Sequence, residues 1–247
     1  MQKCYLKGIS IPKQGHSESE NEDNYLLPSS NEVEKSSVLK CAVADGATES
    51  SFSKEWSDLL VSGFKDMSFA ADQISTTLDS LSQSWQQRTN SKELPWYAQQ
   101  KLEDGAFAAF LGVSIDMKKK QYKAIAIGDC TLFHFSKKKI NSFPLTKSED
   151  YGNTPYLISS NLKNNSKLQS FIRTMSGKLK KGDSLILATD AISAWIFTEL
   201  ESGRQPLTVL LEYIEKPVPE FENWINLLRS EKVMKNDDVT ILHIHIQ

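Results

Sequence analysis

An α+β fold of largely antiparallel sheets with helices outside is predicted by the order in which this chain changes texture. A buried-looking strand is followed by helices, then by a series of strand-like segments, then by more helices and a last strand. That order lacks the strand–helix alternation of a doubly wound parallel sheet and fits segregated layers. The composition agrees: of 247 residues, 39% are hydrophobic and 24% charged, globular values that allow a sizeable core. No internal repeat or long low-complexity linker divides the chain, so residues 1–247 are read as one domain.

The elements follow from local pattern. SVLKCAVAD (37–45) reads as a strand. Over 52–67, Phe52, Trp56, Leu59, Leu60 and Phe64 share one helical face, with Ser51 or Ser53 as the cap. A second helix is expected over 72–88, carrying Ile74, Leu78, Leu81 and Trp85, and a third from Pro95 through Leu102. GAFAAFLGVSID (105–116), QYKAIAIGD (121–129) and TLFHFSKKKINSF (131–143) read as an antiparallel meander. Residues 144–165 are rich in Asn, Ser and Pro and lack a period. A flap-like segment is therefore expected near 144–176, with SKLQSFIRTM as a short helix. GDSLILATD (182–190) is a buried strand ending on Asp. AISAWIFTEL, PLTVLLEYI and PEFENWINLL are helical, and DVTILHIHI is the last strand. The five tryptophans fall mostly on helix faces and are expected in the core.

Charge and cysteine usage exclude several classes. The net charge is −2 without a basic block, so nucleic acid is not expected as a partner. The lysine runs at 118–120 and 137–139 read as solvated turns. No apolar stretch suits a signal peptide or a membrane span, so no membrane partner is expected. Cys4, Cys41 and Cys130 are far apart and form no zinc-like pairs, and Cys41 and Cys130, in or beside apolar strands, read as reduced core residues. A cytoplasmic protein is the simplest expectation.

Acids stand at the strand ends. Glu22 and Asp23 precede Tyr25-Leu26-Leu27, Asp45 ends VLKCAVA, Asp129 ends YKAIAIG, Asp190 ends SLILAT, and Asp237-Asp238 precede VTILHIHI. Each has a local explanation: Asp45-Gly46 and Gly128-Asp129 as turns, Asp190 as a helix cap, Asp237-Asp238 as solvated residues. Together they have another. Carboxylates gathered at a core margin repel one another unless a cation neutralises them, and an all-oxygen set suits Mg²⁺ or Mn²⁺. Gly182-Asp183-Ser184 precedes its strand and reads as a turn. His243 and His245 share one strand face and read as structural.

The ordered motifs Asn21-Glu22-Asp23-Asn24-Tyr25, Ala44-Asp45-Gly46, Gly105-Ala106-Phe107-Ala108, Gly128-Asp129-Cys130, Ala188-Thr189-Asp190-Ala191 and Asp237-Asp238-Val239-Thr240 cover nearly the whole chain. In this order they resemble the PPM-type (protein phosphatase 2C-like) metal-dependent Ser/Thr phosphatases, in a bacterial branch. The resemblance implies a four-layer α-β-β-α sandwich of two antiparallel sheets flanked by helices, with two Mg²⁺ or Mn²⁺ ions at one edge. Asp45 would bridge them, the Gly46 carbonyl would complete one, and Asp190 and Asp237 would bind the other. Glu22 and Asp23 would hold metal-bound waters, and Asp129 matches a position tied to a weaker third ion. A water between the ions would attack phosphorus in line.

Three departures bear on activity. The family's usual phosphate-holding Arg has no counterpart before Arg88, leaving Lys13 or His16, of which His16 is better spaced. Ala191 replaces the usual Gly after Asp190. Ala194 replaces a second acid for the third ion, which is expected weak or absent. The resemblance implies a phosphatase for phosphoserine and phosphothreonine in proteins, with a Ser/Thr kinase or its targets as partner. The alternative is a catalytically weak or inactive module of the same fold that binds phosphoproteins or partners.

Overall fold

The computed structural model describes residues 4–90, 102–137, 139–152 and 154–247. Two antiparallel sheets lie face to face. One has the order β1 (Cys4–Ile11), β11 (Val239–Ile246), β10 (Ser184–Ala188), β6 (Thr131–Ser136), β7 (Lys139–Phe143). The other runs β2 (Asn24–Leu26), β3 (Val38–Gly46), β4 (Phe107–Asp116), β5 (Gln121–Ile127), β9 (Arg173–Lys178), and the short β8 (Ile158–Ser159) also pairs with β4. Helices α2 (Ser53–Asp66) and α3 (Ile74–Asn90) cover the second sheet. Helices α5 (Asp190–Glu201), α6 (Pro206–Glu215) and α7 (Val218–Ser230) cover the first. Two minor helices, α1 (Ser30–Lys35) and α4 (Leu168–Phe171), lie in connections. The α+β sandwich with helices outside is as expected.

Three apolar layers hold it together. Leu39, Cys41, Val43, Leu111, Leu132, Leu187, Leu242 and Ile244 pack between the sheets. Ala42, Ala44, Phe110 and Ile127 pack under Trp56, Leu60, Phe64, Leu78 and Trp85. Phe133, Ile186 and Ile241 pack under Ile192, Trp195, Ile196, Leu210 and Phe221. Successive strand residues face opposite layers, and both layers are dry here, so these strands read as continuous apolar runs rather than alternating ones. The described tryptophans Trp56, Trp85, Trp195 and Trp224 are all buried. The expected helix from Pro95 lies outside the described residues except for its end at Leu102.

Several elements differ from expectation. Strand β1 carries only two fully buried side chains, Ile9 and Ile11, and Gly8 lies where a Cβ would press on Leu27 and Tyr25. The helix over SKLQSFIRTM is confined to Leu168–Phe171, because Arg173–Met175 enter β9 and pair with β5. Within TLFHFSKKKINSF the chain reverses at Lys137, with φ +57°, to form the β6–β7 hairpin. Neither Ser51 nor Ser53 caps α2. Phe52 holds the cap position in a left-handed conformation, and Ser53 is the first helical residue.

Candidate metal centre

One edge of the sandwich gathers the acids, and strand direction explains why. Strand β3 ends there with Asp45 and Gly46, both still paired with β4. Strand β10 ends there and runs into α5 at Asp190; β11 is antiparallel to β10 and so begins there, after Asp237 and Asp238. Strand β1, antiparallel to β11, also ends at this edge, just before Lys13. The pair Asn24↔Ala44 sets Glu22 and Asp23 beside Asp45 and Gly46. Asp129 lies in the turn from β5 to β6. On β3, Asp45 has the same parity as Cys41 and Val43, the residues that point between the sheets, so it stands at the open end of that layer.

The electrostatics show that the acids converge. Burial raises the Asp45 carboxyl well above the usual range, and Asp23, Asp190, Asp129 and Asp237 add to the rise. Burial, followed by Asp238, raises Asp23; hydrogen bonds from Thr240 and Thr189 oppose the rise. Burial, then Asp190, pushes Asp129 up to about 7. Burial raises Asp190 as well, with Lys235 opposing and Asp237 assisting. Four carboxyls, Asp23, Asp45, Asp129 and Asp190, thus resist ionisation, which is the state expected where like charges share a poorly solvated site.

Two carboxylate oxygens are buried without a hydrogen-bond partner, Asp23 Oδ1 and Asp190 Oδ1. Buried acceptors of this kind are costly unless something satisfies them. A hard divalent cation takes oxygen ligands, so the donor set fits one. Among the described residues, no group of three or more His, Cys, Asp or Glu side chains is already drawn together tightly enough to hold an ion. A cation already faces two of these acids: the Lys235 ammonium lies 2.6 Å from Asp237 Oδ2 and 3.3 Å from Asp190 Oδ2.

A polar frame positions the acids. The Thr189 hydroxyl donates to Asp23 Oδ2 at 3.0 Å and accepts the Thr240 N–H at 3.0 Å. Thr189 holds the N-cap place of α5, but its hydroxyl serves Asp23; Asp190 is the first helical residue, where the helix dipole favours a negative charge. Glu22 Oε1 accepts from the Ser53 hydroxyl at 2.5 Å, while Glu22 Oε2 faces Lys13 Nζ at 3.4 Å. Asp238 accepts the Lys13 N–H at 2.7 Å on one oxygen and the Glu22 N–H at 2.8 Å on the other. The Arg229 guanidinium donates to the main-chain oxygens of Pro12 and Asp237. Sequence reasoning named neither Thr189, Thr240 nor Lys235 for the site. Asp238 was visible only as the neighbour of Asp237.

Gly46 is packed against backbone: a Cβ there would come within 2.8 Å of the Glu22 carbonyl oxygen and 2.9 Å of that of Ser53. Main-chain atoms cannot swing aside as a side-chain end can. Gly46→Ala is expected to lower stability by about 1–3 kcal/mol, as overpacking does, read as a drop in denaturant midpoint at unchanged slope.

The two candidates for holding phosphate are placed differently. His16 is exposed on the turn after β1, where its N–H donates to the Lys13 carbonyl. The Lys13 side chain is only 12% exposed and reaches Glu22 and the Thr48 hydroxyl. Lys13→Ala is expected to raise KM for an aryl phosphate about tenfold, the loss of one charge-assisted contact. His16→Ala is expected to change it less than about twofold, as a surface substitution does. Steady-state kinetics of the two variants separates them.

The remaining motifs lie at the other end of the sandwich. Asp183 accepts from the Ser136 hydroxyl at 2.6 Å and the Lys180 N–H at 2.9 Å, and it pairs with His134 at 3.1 Å. His243 and His245 both meet the Ser184 hydroxyl, at 3.1 and 3.0 Å. The segment from 144 does not share that end: Leu145 and Tyr151 pack against the helices of the first sheet, Ser148 bonds Glu201, and Ile158–Ser159 pair as β8 with the start of β4. Cys41 and Cys130 are buried and free. No helix among the described residues is long and apolar enough to cross a membrane.

A sequence model of the family described as Protein phosphatase 2C matches residues 13–237. Comparison with curated proteins finds no match. Solved structures share the fold. One is the S. agalactiae serine/threonine phosphatase, with TM-score 0.63 and 12% identity over 99% of this chain and 100% of that one. Another is the catalytic domain of the serine threonine protein phosphatase PstP in complex with two manganese ions, with TM-score 0.60 and 13% identity over 99% of each chain. A third is RsbX in complex with magnesium, with TM-score 0.55 and 17% identity over 100% of each chain.

Proposed function

We propose that this chain, which belongs to the protein phosphatase 2C family, is a Mg²⁺- or Mn²⁺-dependent phosphatase acting on phosphoserine and phosphothreonine in proteins. The observation that carries the reading is the convergence of Asp23, Asp45, Asp129, Asp190 and Asp237 at one sandwich edge, with two buried oxygens left unpaired. The manganese and magnesium named with PstP and RsbX support the choice of ion.

Bound there, two divalent cations would supply a nucleophilic water at neutral pH and neutralise charge on the phosphoryl oxygens. In this reading Asp45 would be shared by both ions, the Gly46 carbonyl would help hold one, and Asp190 and Asp237 would help hold the other. Glu22 and Asp23 would hold waters around them, and Asp129 would serve a weaker third ion, for which Ala194 supplies no second acid. Lys13 offers a cation for the substrate phosphate at the cleft wall. No cysteine takes part: burial, then Asp45, raises the Cys130 thiol further from its reactive form. A phosphorylated protein, with its Ser/Thr kinase upstream, is the partner this chemistry fits.

The alternative, a module that binds phosphoproteins with little or no turnover, is favoured by one observation: Lys235 already pairs with both Asp190 and Asp237. Hydrolysis of p-nitrophenyl phosphate with and without Mn²⁺ decides between them. A Mn²⁺-dependent rate supports the enzyme; no rate at saturating Mn²⁺, by a protein that binds a phosphopeptide, supports the module.

A further inference from the structure

We infer that Lys235 is a tethered competitor of the second metal ion: its ammonium holds the Asp190–Asp237 pair in the metal-free protein and must leave before a divalent cation enters. This lysine then sets how much metal the protein needs. The inference rests on the metal-centre reading above, and its test can fail separately from that reading.

The geometry is specific. One ammonium lies 2.6 Å from Asp237 Oδ2 and 3.3 Å from Asp190 Oδ2, so it spans both acids assigned to one ion position. The acids come from different elements, the first turn of α5 and the segment before β11, and the cation is two residues from one of them. Other nearby cations do not duplicate the contact. Lys13 turns to Glu22, and Arg229 bonds the Asp237 main-chain oxygen rather than its carboxylate. Asp190 Oδ1 stays unpartnered beside this contact, so the lysine satisfies the pair only in part.

Charge and ligand count make the occupancy exclusive. An ammonium donates single hydrogen bonds, whereas a divalent ion draws several oxygens to about 2.0–2.2 Å and carries twice the charge. A lysine head beside such an ion would be repelled at close range. The Lys235 side chain is 65% exposed, so its head can swing into solvent without unpacking the core. Metal affinity is reduced by whatever fraction of molecules holds the lysine in place. The lysine also offsets acid–acid repulsion when no metal is bound.

The test is Mn²⁺ titration by isothermal calorimetry on the full metal-stripped chain, alongside thermal unfolding without metal. Lys235→Met is expected to bind Mn²⁺ about tenfold more tightly, a modest gain in keeping with a partly solvated pair, and to unfold at a lower temperature when stripped. Lys235→Gln should follow Met, and Lys235→Arg should follow the wild type. Unchanged or weaker Mn²⁺ binding in the Met and Gln variants, with the wild type binding normally, overturns the inference and leaves the metal centre standing. Uptake by the variants alone supports it in its strongest form. No Mn²⁺ uptake by any of these proteins overturns both.

Discussion

Replacing Asp45 by Asn is expected to abolish Mn²⁺-dependent hydrolysis of an aryl phosphate, by about a thousandfold or more, while the fold survives. A thousandfold is about 4 kcal/mol of transition-state stabilisation, within what bound metal ions contribute. The same change should stabilise the metal-free protein. Burial and four neighbouring acids hold the Asp45 carboxyl well above its usual range, so its ionised form opposes folding at neutral pH. Asparagine keeps the shape and removes the charge. The stripped variant should gain about 1–2 kcal/mol, or roughly 2–8 °C in Tm. Opposite signs for activity and stability are diagnostic: a structural acid would lose both, and a solvated turn acid would change neither. A Mn²⁺-dependent rate that persists in Asp45→Asn sinks the bridging role.

Stripped of metal, the wild-type protein is expected to become less stable as pH rises from about 5 to 7.5. The Asp129 carboxyl is pushed up to about 7 in the fold, against about 3.9 in an unfolded chain. Between those values the folded state binds more protons than the unfolded one, so stability is lost with rising pH and levels off above the folded value. Asp23, Asp45 and Asp190 act in the same direction. Glu32, held near 2 by Lys65 and the Ser29 cap, acts oppositely but far below this window; His243, pushed down to about 4 by burial, opposes the loss in the lower part of the window, one group against four acids. The combined loss should be on the order of 2 kcal/mol, or roughly 4–8 °C. Saturating Mn²⁺ should flatten or reverse the slope, because ions and protons compete for the same oxygens. Scanning calorimetry across pH, with and without Mn²⁺, measures both. A stripped protein that gains stability over this interval would show that the acids are not clustered in solution.

The strands that carry the site were legible because their chemistry is concentrated. VLKCAVADG and SLILATD are apolar runs closed by an acid, and six short motifs fall in one family's order. What escaped was structure whose sequence carries little pattern. Strand β9, RTMSGK, is a half-exposed edge with no apolar face to betray it, and it reads as the tail of a helix. Strand β1 is interrupted by Lys7 and Gly8, so its two buried isoleucines give no clear period. The α2 cap was misplaced because a serine was expected at a position that Phe52 holds with positive φ. Lys235 left no signal at all. A lysine two residues before an acid is ordinary until the chain folds it back across Asp190.

Asp238 has a consequence of a different kind. Its two oxygens grip the main chain at Lys13, which leaves the first sheet, and at Glu22, which enters the second. The passage between the sheets is therefore fastened near both ends by one side chain that stands just before β11. Slippage of either sheet would have to break a bond to the same carboxylate, so the two halves of the sandwich share a rivet placed directly behind the acids they must align. The alignment of the site then depends less on the loops that carry its residues than on a carboxylate that need never touch the chemistry.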